Sequence, residues 1–220
     1  MHTKRQKAAV LLPYTLIFFA VWAIYHFFVE PWLTAHISSG WLCTLVTEGL
    51  LKNLIWTLPA FCLLKKFAAD AYVKQVLFRL NRDCLKWLLV FVLFAIYLIV
   101  GAYRQYGCLQ IQPDFGLDCI IVVLFVGITE EMVFRGWLLN VTYSDKHKWL
   151  AIGANAVLFL MIHFPRWIMD GTFVSSFTSF GFVCILALSV IFSLAFVKTK
   201  NLLLPIGLHM FWDLLMFLFY

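Results

Sequence analysis

Apolar residues run along this chain in stretches of bilayer length, separated by short polar clusters. The interruptions divide it into about seven segments, at about 9–29, 41–64, 86–103, 117–142, 149–167, 173–197 and 201–220. Each segment offers roughly the 20 residues needed to cross a hydrocarbon core as a helix. Pro13, Pro59, Pro165 and Pro205 lie in or near these segments, where lipid-embedded helices tolerate them as kinks or ends. The predicted fold class is therefore all-α, a polytopic transmembrane helix bundle. We expect a three-span N-terminal region over 1–116 and a four-span catalytic core over 117–220. Between the second and third spans, near 65–86, Val73, Val76, Leu77 and Leu80 recur at helical spacing among Lys74, Arg79 and Arg82. That pattern suits a helix at the cytoplasmic headgroup boundary, and equally a solvated connecting helix.

The basic residues orient the bundle. Lys4, Arg5 and Lys7 precede the first span; Lys65, Lys66, Lys74, Arg79, Arg82 and Lys86 follow the second; Lys146 and Lys148 follow the fourth; Lys198 and Lys200 follow the sixth. All of these fall on one side. Only Arg104 and Arg166 lie in loops on the other, and Lys52 and Arg135 sit inside spans, which accounts for all 17 Lys and Arg. Positive loops stay in the cytoplasm, so the N-terminus is expected inside, the C-terminus outside, and the number of spans odd. The first segment has the basic start of a signal peptide, but its apolar run continues through Phe28 without a convincing small-residue cleavage site, and a retained helix is expected.

Composition agrees with this reading. The chain is 64% hydrophobic and 13% charged, with 23 Phe and 9 Trp, and its mean hydropathy is +0.92. A soluble domain could not cover so much apolar surface with so few charges. The six cysteines (Cys43, Cys62, Cys84, Cys108, Cys119 and Cys184) show no Cys-x-x-Cys spacing and suggest neither a disulfide framework nor a thiolate metal site. The net charge of +6 is explained by topology, and nucleic acid is not an expected partner. Small size without a soluble domain suits a bacterial plasma membrane.

Against this background, ionisable groups inside spans stand out. A central charge costs on the order of 2.5 to 3.5 kcal/mol on insertion scales, so each calls for a partner or a purpose. The fourth span reads Thr129-Glu130-Glu131-Met132-Val133-Phe134-Arg135. Glu131 and Arg135, four apart on one face, can pair, while Glu130 points about 100° away. A carboxylate paired with arginine stays ionised, and its desolvated neighbour is then better suited to take a proton from water. Glu130 is the candidate base and Glu131 the alternative. The fifth span adds His163, and the seventh adds His209 and Asp213, again four apart. At a rise of about 1.5 Å per residue from the cytoplasmic ends, Glu130, His163, His209 and Asp213 lie roughly 18, 21, 12 and 18 Å deep. These depths permit convergence, provided that the fourth helix continues past Arg135. Glu48 and Lys52, also four apart, read as a buried pair that offsets its own insertion cost.

The ordered motifs Glu130-Glu131-x-x-x-Arg135, Phe159-x-x-x-His163 and His209-x-x-x-Asp213 resemble those of the CAAX protease and bacteriocin-processing (Abi) family of intramembrane peptidases. The resemblance covers about residues 117–220, and the first three spans match only as apolar helices. Asp213 stands where the family often has asparagine. The resemblance implies an intramembrane endopeptidase in which Glu130 activates a water. His163, His209 and Asp213 would hold that water and stabilise the oxyanion, and Glu131 and Arg135 would orient the base. It leaves both a metal-free glutamate route, slightly favoured, and a zinc site formed by His163, His209 and Glu130 or Asp213; there is no His-Glu-x-x-His helix. The expected partners are the lipid bilayer and a membrane-associated peptide or protein. Two other classes fit the same residues: a non-enzymatic bacteriocin-immunity or scaffold protein that keeps the site for binding, and a proton-coupled transporter, disfavoured because no internal repeat is visible.

Overall fold

The computed structural model describes residues 4–74, 78 and 82–220, and every regular element among them is helical. Helix α1 runs unbroken over residues 4–36 and α2 over residues 40–66. Then come α3, Arg82–Tyr106, and α4, continuous over residues 117–142. Helices α5 (Lys148–Met161), α6 (Phe164–Met169), α7 (Phe173–Thr178), α8 (Gly181–Thr199) and α9 (Leu203–Phe219) complete the chain. Four stretches among the described residues are long and apolar enough to cross a membrane: Gln6–His36, Arg82–Tyr106, Asp145–Met169 and Gly181–Thr199. Helix α9 is apolar but shorter. Helices α2 and α4 are long as well, but carry Glu48 and Lys52, and Glu130, Glu131 and Arg135, within them. Of the boundary helix expected near 65–86, residues 75–77 and 79–81 lie outside the described residues; the rest includes the end of α2, a 3-10 turn at Ala68–Asp70, non-helical chain at 71–74 and the start of α3. What is described of it includes Val73, which is buried and bonded through both its N–H and its C=O to the Asn140 side chain, at 2.7 and 3.3 Å.

Two of the expected continuous spans are interrupted. The span expected at 149–167 breaks at Ile162-His163, where α5 ends and α6 begins. Pro165 lies in the first turn of α6; it has no N–H to give and its ring clashes with the preceding turn, so the helix cannot run on in register. The span expected at 173–197 is two helices, with Phe180 between them in the left-handed region at φ 60°. Here the hydroxyls of Ser175 and Ser176 bond the Thr172 carbonyl, each at 2.9 Å, and Ser179 bonds the Ser175 carbonyl at 2.6 Å. Such side chains offer the backbone an alternative to a continuous helix. The fourth helix does continue past Arg135, in a wider π-wound form over Met132–Leu139. Single π turns inside α-helices often accompany functional sites.

One apolar cluster joins Phe18 and Trp22 of α1 and Trp56 of α2 to Phe134 and Trp137 of α4, Phe159 of α5 and Phe196 of α8. A second joins Phe94 of α3 to Phe192 of α8 and Leu208 of α9. Helix α4 lies between them, packed against both α2 and α9. Its central residues, Met132 through Leu139, are all buried. The polar groups of α4 are thus removed from lipid and must be satisfied inside the protein.

Candidate active site

Arg135 is wholly buried, with no exposed surface. Its Nη1 donates to Glu131 Oε1 at 2.8 Å, and its Nη2 donates to the Ser189 carbonyl at 2.9 Å and to Ser189 Oγ at 2.7 Å. The guanidinium also lies over the Phe159 ring, 4.5 Å from the centroid, with Phe192 at 5.4 Å. The planar fork and the stacked faces suit arginine and would not suit lysine. The same Oε1 of Glu131 accepts from His209 Nδ1 at 3.0 Å. Since a carboxylate so engaged accepts, this contact puts the imidazole proton on Nδ1 and directs Nε2 away from Glu131. That nitrogen faces Asp213 Oδ2 at 3.4 Å and Glu130 Oε2 at 3.8 Å. The ring is held flat on Phe192, with centroids 5.1 Å apart and planes 21° apart, and edge-on to Phe159 at 5.8 Å.

The two adjacent glutamates therefore do different things. Glu131 is locked between Arg135 and His209, while Glu130 has no arginine and faces the outer nitrogen of the histidine. This is the divergence expected from helical phase. His209 and Asp213, four apart on α9, both point to α4 because α9 crosses it closely at Gly127. There an added Cβ would come within 2.9 Å of Met210 Cγ and 3.6 Å of the Met210 and Ile206 backbone.

His163 sits at the break between α5 and α6, where its Nδ1 bonds the Phe159 carbonyl at 3.0 Å. A carbonyl only accepts, so Nδ1 carries the proton here too. His163 and Asp213 line one cavity of about 750 Å³, together with Asp114, Arg166 and Trp212. Glu131 and Arg135 are sealed from solvent, whereas Asp213 keeps 22% of its side-chain surface and Glu130 11%.

Two contributors were not singled out from sequence, Ser189 and Phe192 of α8. Their signal was present: Ser189 and Ser193 are polar positions four apart in an otherwise apolar helix. Ser193 Oγ lies 3.5 Å from Asn155 Oδ1, and Asn155 in turn donates to the Phe134 carbonyl at 2.9 Å, so both serines tie α8 to α4 or α5. The buried pair expected at Glu48 and Lys52 is formed, at 2.7 Å. Among the described residues, no three His, Cys, Asp or Glu side chains are grouped so as to hold a metal ion. His209 Nδ1 is taken by Glu131, which leaves Nε2, facing Glu130 and Asp213, as the ring atom open to a metal or a water.

A buried glutamate faces a histidine, beside an arginine-locked second glutamate, within helices apolar enough for a bilayer, where ionisable groups call for a purpose. Residues 112–215 match the family model described as Type II CAAX prenyl endopeptidase Rce1-like. That stretch, just under half of the chain, holds every motif above and is what is similar to the family. Among curated proteins and among solved structures, none matches this chain.

Proposed function

We propose that this protein is an intramembrane endopeptidase that hydrolyses a peptide bond near the C-terminus of a membrane-delivered substrate, using water activated by Glu130. The observation that carries the reading is the unequal use of the two glutamates around His209. Glu131 Oε1 is committed at 2.8 Å to Arg135 and at 3.0 Å to His209, whereas Glu130 stands 3.8 Å from His209 Nε2. That separation exceeds a hydrogen bond and suits a bridging water.

In this mechanism Glu130 takes one proton from the water as its oxygen bonds to the carbonyl carbon. The carbonyl oxygen becomes an oxyanion, which His209 and His163 stabilise as imidazolium cations, donating from Nε2 while Nδ1–H holds Glu131 and the Phe159 carbonyl. Glu130 then passes the proton to the departing amide nitrogen as the C–N bond breaks, leaving an amine on one product and, on the other, a carboxylic acid that gives up its proton to the amine or to water. Asp213, 3.4 Å from His209 Nε2, orients that edge of the ring and shares its protons as part of one interacting set. Arg135 and Glu131 touch no substrate; they fix the imidazole. No step passes through a metal. We further propose that α2, α4 and α9 cross the bilayer with the four apolar spans, the N-terminus lying in the cytoplasm.

The test is cleavage of a prenylated peptide with a CAAX-type C-terminus by purified protein in detergent. Glu130→Gln keeps the shape of the side chain but removes the base, and the rate should fall by about 10²- to 10⁴-fold at unchanged protein level and melting temperature. Undiminished cleavage by that variant excludes Glu130 as the base. A chelator such as phenanthroline should leave the wild-type rate unaltered.

A further inference from the structure

Helix α1 lies outside the matched residues 112–215, yet it reaches the loop that presents His163. The Trp22 indole N–H donates to the Ile162 carbonyl at 2.8 Å, a buried bond between residues 140 apart in sequence. Ile162 is one peptide bond from His163, at the break between α5 and α6. The indole itself is immobilised. It stacks on Phe18 with centroids 5.7 Å apart, abuts Trp56 at 4.7 Å and His26 at 4.9 Å, and lies under Lys52 Nζ at 5.2 Å. Lys52 is itself pinned by Glu48 at 2.7 Å. A second tether joins the same two segments, from Glu30 Oε1 to Arg166 Nη1 at 3.6 Å, with His26 paired to the same glutamate.

We propose that Trp22 is a positioning residue for His163: its N–H holds the Ile162 carbonyl, and so fixes the helix break that points the imidazole into the cavity. A peptide plane at a break between helices has fewer constraints than one inside a helix, and Pro165 removes one more donor from it. A hydrogen bond from a side chain wedged among rings restores the missing constraint. The Glu48–Lys52 pair, outside the proposed chemistry, then has a use in seating the indole. The activity readout rests on the peptidase reading, since it assumes that His163 serves cleavage.

Trp22→Phe keeps an aromatic ring in the cluster and removes only the donor. Pro165→Ala shifts the same break from the other side, by returning the N–H that proline lacks and letting the helix run on, without touching the cluster, so a folding defect in one variant does not decide the matter. Modification by diethyl pyrocarbonate, mapped by mass spectrometry, reads the imidazoles without needing activity. In both variants the rate at His163 should rise several-fold while that at His209 stays constant. In the cleavage assay Trp22→Phe should lower kcat by about tenfold with KM within twofold, and adding Trp22→Phe to His163→Ala should cost nothing more. Unchanged labelling of His163, or losses that multiply in the double variant, overturns the proposal. If the wild-type chain does not cleave, labelling alone decides, and failure of the peptidase reading is told apart from failure of this one.

Discussion

At the scale of the residue, the site depends on how one arginine is spent. Arg135 is surrounded by its own ion pair, the two contacts to Ser189 and the faces of Phe159 and Phe192. Removing one partner of a buried pair leaves an uncompensated charge, at a cost of about 3–5 kcal/mol. Arg135→Ala should therefore lower the melting temperature in detergent sharply and abolish cleavage. Adding Glu131→Gln should recover much of the stability, because the stranded carboxylate is gone, but none of the activity, because His209 then lacks its anchor. A melting temperature unaffected by Arg135→Ala would contradict the buried network. The pairing of Glu131 with Arg135 and the separate course of Glu130 were legible in the sequence because they follow from 3.6 residues per turn within one helix. The contacts to Ser189 and Phe192 were not, because they join α4 to a helix some fifty residues away, and phase along one helix carries no information about which neighbour faces it.

At the scale of the element, what matters is how closely α4 and α9 approach. The glycine at 127 lets the helices come together one turn from Glu130 and Glu131, and small residues at such crossings are a common device in membranes. Gly127→Val would push a branched side chain against Met210, next in sequence to His209. The helices must part by a fraction of a residue diameter, and a displacement of about 1 Å at reacting groups costs roughly a hundredfold in rate. Gly153→Ala is the control: a Cβ there meets nothing within 4 Å, and activity should be kept. Equal rates for the two variants would show that the crossing does not set the site. The long helices could be read from apolar runs alone, and so could the continuation of α4. The break at His163 had a cue in Pro165, but that residue was read as compatible with a kinked continuous span. The break at Phe180 had none in hydropathy, since Phe173, Val174, Phe177 and Phe180 are as apolar as a span requires. It arises from hydroxyls that satisfy carbonyls locally, which an apolar average does not register.

At the scale of the whole molecule, the placement of the basic residues gives an expected orientation, and it bears on how a substrate enters. The cavity lined by His163 and Asp213 also meets Gln112, Asp114 and Phe115, from the segment between α3 and α4, and Tyr220 at the chain's end. These belong to the side away from Lys65, Lys66, Lys146, Lys148, Lys198 and Lys200. If the positive-inside rule orients this bundle, the cavity opens away from the cytoplasm, and a cytoplasmic substrate would have to reach it through the plane of the bilayer. Cys108, exposed just after the end of α3, reports on this directly. With the other five cysteines replaced by alanine, a membrane-impermeant maleimide added to intact cells should label Cys108. With Cys108 replaced as well, a cysteine placed at Lys146, beside the turn leading into α5, should be labelled only after the membrane is opened. The reverse pattern would invert the bundle, set the basic loops outside, and make the cavity directly accessible from the cytoplasm. Labelling of both positions from one side would mean that an even number of crossings separates them, so that α4 does not span, and the proposed depth of Glu130 would fall with it.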